Sequence, residues 1–323
     1  MKLKTLLTMA LVGLAGLAGV RADTIKLGYS DWPGYTVLEV AKQKGWFKDA
    51  GLDVDLVWFD YGASIDAFSA GKIDGVTIVA GDAMVSGATG AKSKMVCLID
   101  YSEGSDMIVG GPGIDSIKDL KGKKVGVELT LVEHELLLQA LKVNGMSPSD
   151  VTLVGTSTDK TPQTLASGQV SAIGAWYPIS GQALKQVPGS KKLFTSADAK
   201  GLIFDVIAVN PASYGQHKEE WAKITAIYYK CVDYLMDPKT RQDAINIMAA
   251  KVGADPVEYA KNVPGTHFLT IPEAKACLKK SDDMLSIYGS MKMSDAFYLA
   301  NGVYKESQKP SSYIVPGIIM GLK

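Results

Sequence analysis

Short apolar runs alternate with amphipathic stretches along the first two thirds of the chain. Thr24–Tyr29, Asp53–Phe59, Gly75–Val79, Met95–Ile99, Met107–Gly110, Lys124–Val127, Val151–Val154, Ala172–Ala175 and Phe204–Val209 read as strands. Between them lie helical patterns such as Glu133–Asn144 and Pro162–Ser167. This alternation predicts βαβ units and mostly parallel sheets. From about Ala212 the period becomes helical throughout, in "EEWAKITAIYYKCVDYLMD", "KTRQDAINIMAAKVG", "PEAKACLKKSDDMLSIYG" and "SDAFYLANGVYKES". Pro272 and Ser294 are the helix starts expected there, and Gly253 and Gly289 the stops. The pattern is that of an α/β chain with a helical C-terminal third.

The first 22 residues stand apart. Lys2 and Lys4 precede an apolar run from Leu6 to Ala18, and Val20-Arg21-Ala22 places small residues at the −3 and −1 positions of a cleavage site. That is the pattern of a secretory signal peptide. With no cysteine beside Ala22, a lipid anchor is not expected, and the mature product should be soluble in the periplasm. No later run reaches the roughly 18 apolar residues of a membrane span. Without Lys2, Lys4 and Arg21, the 34 basic residues fall to 31 against 34 acidic ones, a net charge of −3. A polyanion partner wants a basic face, so nucleic acid is disfavoured. About 300 mature residues are long for one core, so two lobes are expected. Cys97, Cys231 and Cys277 are too scattered for a disulfide scaffold or zinc site. Cys97 sits in an apolar strand pattern, and pairing of Cys231 with Cys277 stays open.

Three blocks, "VLEVAKQKGWFKDAGLDVDLVWFDYGASIDAFSAGKIDG", "SIKDLKGKKVGVELTLVEHELLLQALKVNGMSPSDVTLV" and "TLASGQVSAIGAWYP", carry a resemblance. They resemble the periplasmic solute-binding proteins of nitrate, sulfonate, taurine and thiamine-precursor ABC importers, across nearly all of the mature chain. The resemblance implies a type II periplasmic-binding fold with two lobes joined by crossing strands near Asp106–Gly110 and Phe204–Val209. Lobe 1 would be 23–105 and 205–323, lobe 2 the insertion 106–204. A ligand would lie between lobes that close by hinge motion. The expected partners are a small molecule and a cognate permease, with the protein itself a monomer.

Acids and aromatics recur just past the strand ends, where loops line the crevice of an open α/β sheet. Asp31 and Trp32 follow the first strand, Asp60 and Tyr61 the second and Asp82 the third; Asp106 opens the first crossing segment. Glu128, Thr130 and Glu133 follow "KVGV", Trp176 follows "AIGA", and Asp205 lies inside the apolar "LIFDVIAV". Structural roles compete for several of them. Asp31 suits an Asx turn, Asp60 and Asp82 suit helix N-caps, and Glu133 suits a first helical turn. Asp205 resists such a reading, because burying a lone carboxylate is costly. Trp32 and Trp176 lie beside turns and point to the cleft, whereas Trp46, Trp58 and Trp221 read as packing residues.

The anion-binding members of the resembled family carry a Gly- and Ser-rich segment where this chain has "ELTLVEHE". Its acids repel an anion, and no arginine stands in the cleft loops. The ligand expected is therefore a small nitrogen-rich organic cation. Guanidinium fits best, because its planar fork of donors matches carboxylates and its faces stack on aromatics. The alternative is an aliphatic sulfonate, taurine, nitrate or a thiamine-pyrimidine precursor. A sensory role, in which the fold feeds a receptor instead of a permease, fits the same sequence. An enzyme resembling thiamine-pyrimidine synthases is the rival of a different class. His134, His217 and His267 are scattered, however, and "EHELL" lacks the second His of a zinc motif. No cofactor or metal motif is present.

Overall fold

The computed structural model describes residues 23–323, so the signal-peptide segment lies outside the described residues. Among the described residues there are eleven strands: β1 (Ile25–Tyr29), β2 (Val54–Trp58), β3 (Gly75–Val79), β4 (Lys94–Ser102), β5 (Asp106–Gly110), β6 (Lys124–Val127), β7 (Thr152–Gly155), β8 (Ala172–Trp176), β9 (Lys191–Thr195), β10 (Phe204–Val209) and β11 (Thr266–Phe268). They form two sheets, ordered β11-β4-β10-β3-β1-β2 and β7-β6-β8-β5-β9. Helices flank both sheets, and the last third of the chain is helical apart from β11. This is the two-lobed α/β architecture expected from the sequence. Among the described residues no helix is long and apolar enough to cross a membrane.

Most strands in each sheet share one direction. β1 pairs parallel with β2 and β3, and β6 with β7 and β8. Where the chain passes from one sheet to the other it enters antiparallel: β5 against β8 and β9, β10 against β3 and β4. A strand arriving from the opposite lobe comes in at the cleft edge and runs away from it. Its first residues therefore lie beside the last residues of its neighbours. Asp106 is paired with Trp176, and Asp205 with both Val79 and Asp100. β3, β5, β8 and β10 are buried along their whole length, which explains their unbroken apolar patterns.

The strands missing from the sequence reading are β9 and β11. β9 is a half-exposed edge strand and β11 has three residues, too few to display a period.

In the C-terminal third, helix Lys218–Met236 lays Trp221, Ile224, Tyr228, Cys231, Val232 and Leu235 into the core. Its Tyr228 hydroxyl donates to Gly34 O at 3.1 Å, fixing the short helix Pro33–Thr36 that follows β1. Gly253 ends helix Arg241–Val252 in the left-handed region, and Pro272 stands in the first turn of Ile271–Cys277. The other two boundary signals mislead. Helix Ile287–Ala300 starts at the Ser286 cap and contains both Gly289 and Ser294. Gly289 serves close packing, since a Cβ there would meet Asp283 O at 2.2 Å. All three cysteines are buried free thiols, so Cys231 and Cys277 are unpaired.

Candidate ligand-binding site

Two adjoining cavities lie between the sheets. The outer one, about 190 Å³, is bordered by Asp31, Asp60, Glu128, Asp159, Trp58, Tyr61 and Trp176 among others. The inner one is only about 10 Å³, and its walls are Trp32, Tyr35, Tyr61, Val79, Asp106, Val132, Trp176, Ile203 and Asp205, every one buried. Among the described residues no Lys, Arg or His lines either cavity.

The expected site residues fall into distinct places. Asp106 and Asp205 reach the inner wall because they begin strands entering from the other lobe. Trp32 and Trp176 stand there with them. Trp32 Nε1 donates to both oxygens of Asp100, at 3.2 and 3.1 Å, while Trp176 Nε1 donates to Asp31 Oδ1 at 2.9 Å. Asp31 thus bonds across to the second sheet. Asp60 occupies the N-cap position of helix Tyr61–Ser69 but makes no capping hydrogen bond; it is exposed on the outer cavity. Asp82 is the third residue of helix Ala80–Ala88, not its cap. It sits behind the inner wall, accepting from Tyr61 Oη at 2.7 Å, Val132 N at 3.3 Å and Tyr298 Oη at 3.2 Å. Glu133 is buried in the first turn of helix Val132–Val143, and neither of its carboxylate oxygens has a partner. Thr130 lines neither cavity. It is exposed, with a positive φ of 67°, and is bonded locally to Leu129 O and His134 Nδ1. Trp58, expected to pack, is 37 % exposed and borders the outer cavity.

Three participants, Asp100, Tyr35 and Glu135, escaped the sequence reading. Asp100 lies one residue past the predicted end of its strand. Tyr35 Oη donates to Asp205, and Glu135 accepts from Tyr298 at 3.0 Å. Tyr61, expected after the second strand, stacks edge-on against Trp176 with ring centroids 5.1 Å apart. The signal for Asp100 is the pair of acids bracketing "YSEGS" at the crossing between lobes.

Electrostatically the site is one-sided. Asp82, Asp100, Asp106, Glu133, Glu135 and Asp205 are each no more than 2 % exposed. None forms an ion pair with a basic residue among the described residues. Desolvation penalises the charged form of such groups, and neighbouring carboxylates penalise it further. Burial pushes Asp106 and Glu135 up to about 7 and Asp205 up to about 6. Asp100 stands well above the ordinary carboxylate range through burial and then the charge of Asp205, and Glu133 through burial and then that of Asp106. A buried cluster of this kind is neutralised by protons or by a cation. Among the described residues no group of His, Cys, Asp and Glu has the arrangement of a metal site.

The sequence model described as NMT1/THI5 like matches residues 32–241. A Brucella abortus protein, whose name gives only a provisional binding role, is 32% identical over 202 residues, which are 61% of this chain and 62% of that protein. The match thus spans less than two thirds of that relative's length. An arginine-binding extracellular protein of Bacillus subtilis is 31% identical over 124 residues, 37% of this chain and 46% of that protein. In structure, the alkanesulfonate-binding protein of Xanthomonas axonopodis pv. citri, bound to MOPS, matches with a TM-score of 0.77 at 17% identity, over 90% of this chain and 98% of that one. At that identity the likeness concerns the fold alone, the two-lobed type II periplasmic-binding fold. The sequence match covers well over half of the chain, and the chain belongs to the NMT1/THI5-like family.

Proposed function

We propose that this chain is the periplasmic solute-binding component of an ABC importer and captures a small nitrogen-rich organic cation, guanidinium fitting best, for delivery to a cognate permease. The lobes would be 23–105 with 205–323, and 106–204, with the ligand enclosed between them by a monomeric protein that binds without transforming it. The observation that carries the ligand class is the inner cavity, where Asp106 and Asp205 each keep one carboxylate oxygen without a partner and no basic side chain stands in the wall.

The energetics set the scale of the affinity. Micromolar affinity needs about 8 kcal/mol. Charge-assisted hydrogen bonds give about 1.5–3 kcal/mol each, and a desolvated cation–π contact about 2 kcal/mol. Two or three such bonds and one aromatic face give about 5–11 kcal/mol before an association cost of about 4 kcal/mol or more, so these contacts alone account for affinity weaker than micromolar. The arginine-binding relative lends modest support, since arginine carries a guanidinium group.

A second reading, an anion such as an alkanesulfonate, is favoured by the Xanthomonas protein that shares the fold. Calorimetric titration of the protein with guanidinium chloride, taurine, an alkanesulfonate and nitrate separates the two. Saturable heat from guanidinium alone is expected; saturable heat from taurine or the sulfonate, with none from guanidinium, establishes the anion reading instead. Recovery of the bound compound unchanged after prolonged incubation separates a binder from an enzyme.

A further inference from the structure

We infer that the inner cavity selects the unsubstituted cation over its N-alkylated relatives, and that Val132 and Ile203 set this limit. The inference rests on the cation reading above and adds what the cavity will refuse.

Every donor in the wall is already spent. Tyr35 Oη donates to Asp205, Tyr61 Oη to Asp82, Trp32 Nε1 to Asp100 and Trp176 Nε1 to Asp31. The polar groups left for a ligand are acceptors: Asp106 Oδ2 and Asp205 Oδ2, on residues 2 % and 1 % exposed, have no partner. A ligand here needs N–H groups pointing at carboxylates and flat faces against rings. It has nothing to gain from carrying an acceptor of its own.

Space sets the second condition. About 10 Å³ is room for about one water-sized body, so even a small planar ion must part the walls slightly. A methyl on one nitrogen adds bulk against the buried side chains of Val132 and Ile203 and removes an N–H from a buried carboxylate. One extra methylene in a tight pocket changes discrimination about 10–200-fold, and the orphaned acceptor adds to the loss. A longer tail has no exit. The way to the outer cavity is filled by Trp176, held by Asp31 and stacked edge-on against Tyr61.

The test is calorimetric titration of the full mature protein with guanidinium, methylguanidinium, agmatine, arginine, urea and ammonium chloride. Guanidinium should bind at least tenfold tighter than methylguanidinium, with agmatine, arginine and urea undetected. Val132→Ala, which opens the cavity without removing a polar group, should narrow the guanidinium–methylguanidinium gap to within threefold. Ile203→Val is the milder variant if the first does not fold, and should narrow the gap at least twofold. Methylguanidinium or agmatine bound as tightly as guanidinium by the wild type overturns the inference while leaving the cation reading standing. So does a gap left unchanged in a folded variant, or ammonium bound more tightly than guanidinium. If no cation binds and an alkanesulfonate does, the cation reading falls and the inference with it.

Discussion

The indole Nε1 of Trp176 donates a 2.9 Å hydrogen bond to Asp31 Oδ1, tying the last residue of β8 in one sheet to the loop after β1 in the other. The bond both holds the lobes together and stands at the passage between the two cavities. Burial raises Asp31 to about 6, and the Trp176 donor works against that rise. Trp176→Phe keeps an aromatic face and removes only the N–H. A hydrogen bond to a charged group contributes about 1.5–3 kcal/mol, so ligand dissociation should accelerate at least tenfold, with association changed much less. Stopped-flow fluorescence, read on the remaining tryptophans, measures both rates; an unchanged dissociation rate would remove this bond from the closure mechanism.

Gly34 and Asp100 meet in a contact that leaves no room for a side chain. A Cβ at position 34 would lie 1.7 Å from Asp100 Oδ2 and 2.9 Å from its carboxyl carbon. The helical turn Pro33–Thr36 cannot retreat easily, because Tyr228 Oη holds Gly34 O and Trp32 Nε1 holds the same Asp100 carboxylate. Gly34→Ala should cost about 1–3 kcal/mol of stability, as overpacking does, and weaken ligand binding by an order of magnitude by displacing Asp100. Urea denaturation with parallel titration checks both. Wild-type affinity in a folded Gly34→Ala protein would show that Asp100 does not shape the site.

The apolar runs located nine of the eleven strands: seven are largely buried, and the edge strands β2 and β7, though partly exposed, keep apolar residues in a β pattern. They could not reveal β9, whose exposed lysines belong to an edge, nor the three-residue β11. The cleft acids Asp106 and Asp205 were legible because a carboxylate at the head of an apolar run has no cheap structural use. Asp100 was missed for the converse reason: it ends such a run, where an acid looks like the start of a loop. Thr130 was chosen by its place after a strand, but its positive φ turns that segment outward. Position along the chain identifies residues near a strand end, yet only the antiparallel entry of β5 and β10 determines which strand ends face each other.

The buried acids give the ligand-free protein a pH dependence of definite sign. Asp31, Asp106, Glu135 and Asp205 sit at about 6, 7, 7 and 6, and Asp82, Asp100 and Glu133 well above their ordinary values, all chiefly through burial. Above pH 4 the folded protein retains protons that an unfolded chain gives up. Stability is therefore greatest in mild acid and falls as pH rises through 6 and 7. A tenfold difference in proton affinity between folded and unfolded chain is worth about 1.4 kcal/mol, so the melting temperature without ligand should fall by several degrees between pH 5 and pH 8. A cation takes the place of those protons, so its affinity should rise over the same range with release of about one proton per ion bound. Titration in two buffers of different ionisation enthalpy counts the protons. Affinity that weakens from pH 5 to pH 8 would contradict the cation reading.

Tyr298 offers one hydroxyl proton to two buried acids, Asp82 Oδ1 at 3.2 Å and Glu135 Oε2 at 3.0 Å. A phenol donates once, so the second contact is favourable only when that carboxyl is itself protonated and donates to the phenol oxygen. Asp82 also accepts from Tyr61 Oη and from Val132 N, whose helix carries Glu135, so this network joins the two lobes behind the ligand cavity. Tyr298→Phe strips a partner from both acids and should cost about 1–3 kcal/mol. The hydroxyl favours the ionised form of each acid, so removing it raises both further. The loss should consequently be small at pH 5, where both acids are protonated with or without the phenol, and largest at pH 8. Urea unfolding of the two proteins at both pH values measures the gap; a cost equal at pH 5 and pH 8 would mean that the Tyr298 hydroxyl does not act through the ionisation of these acids.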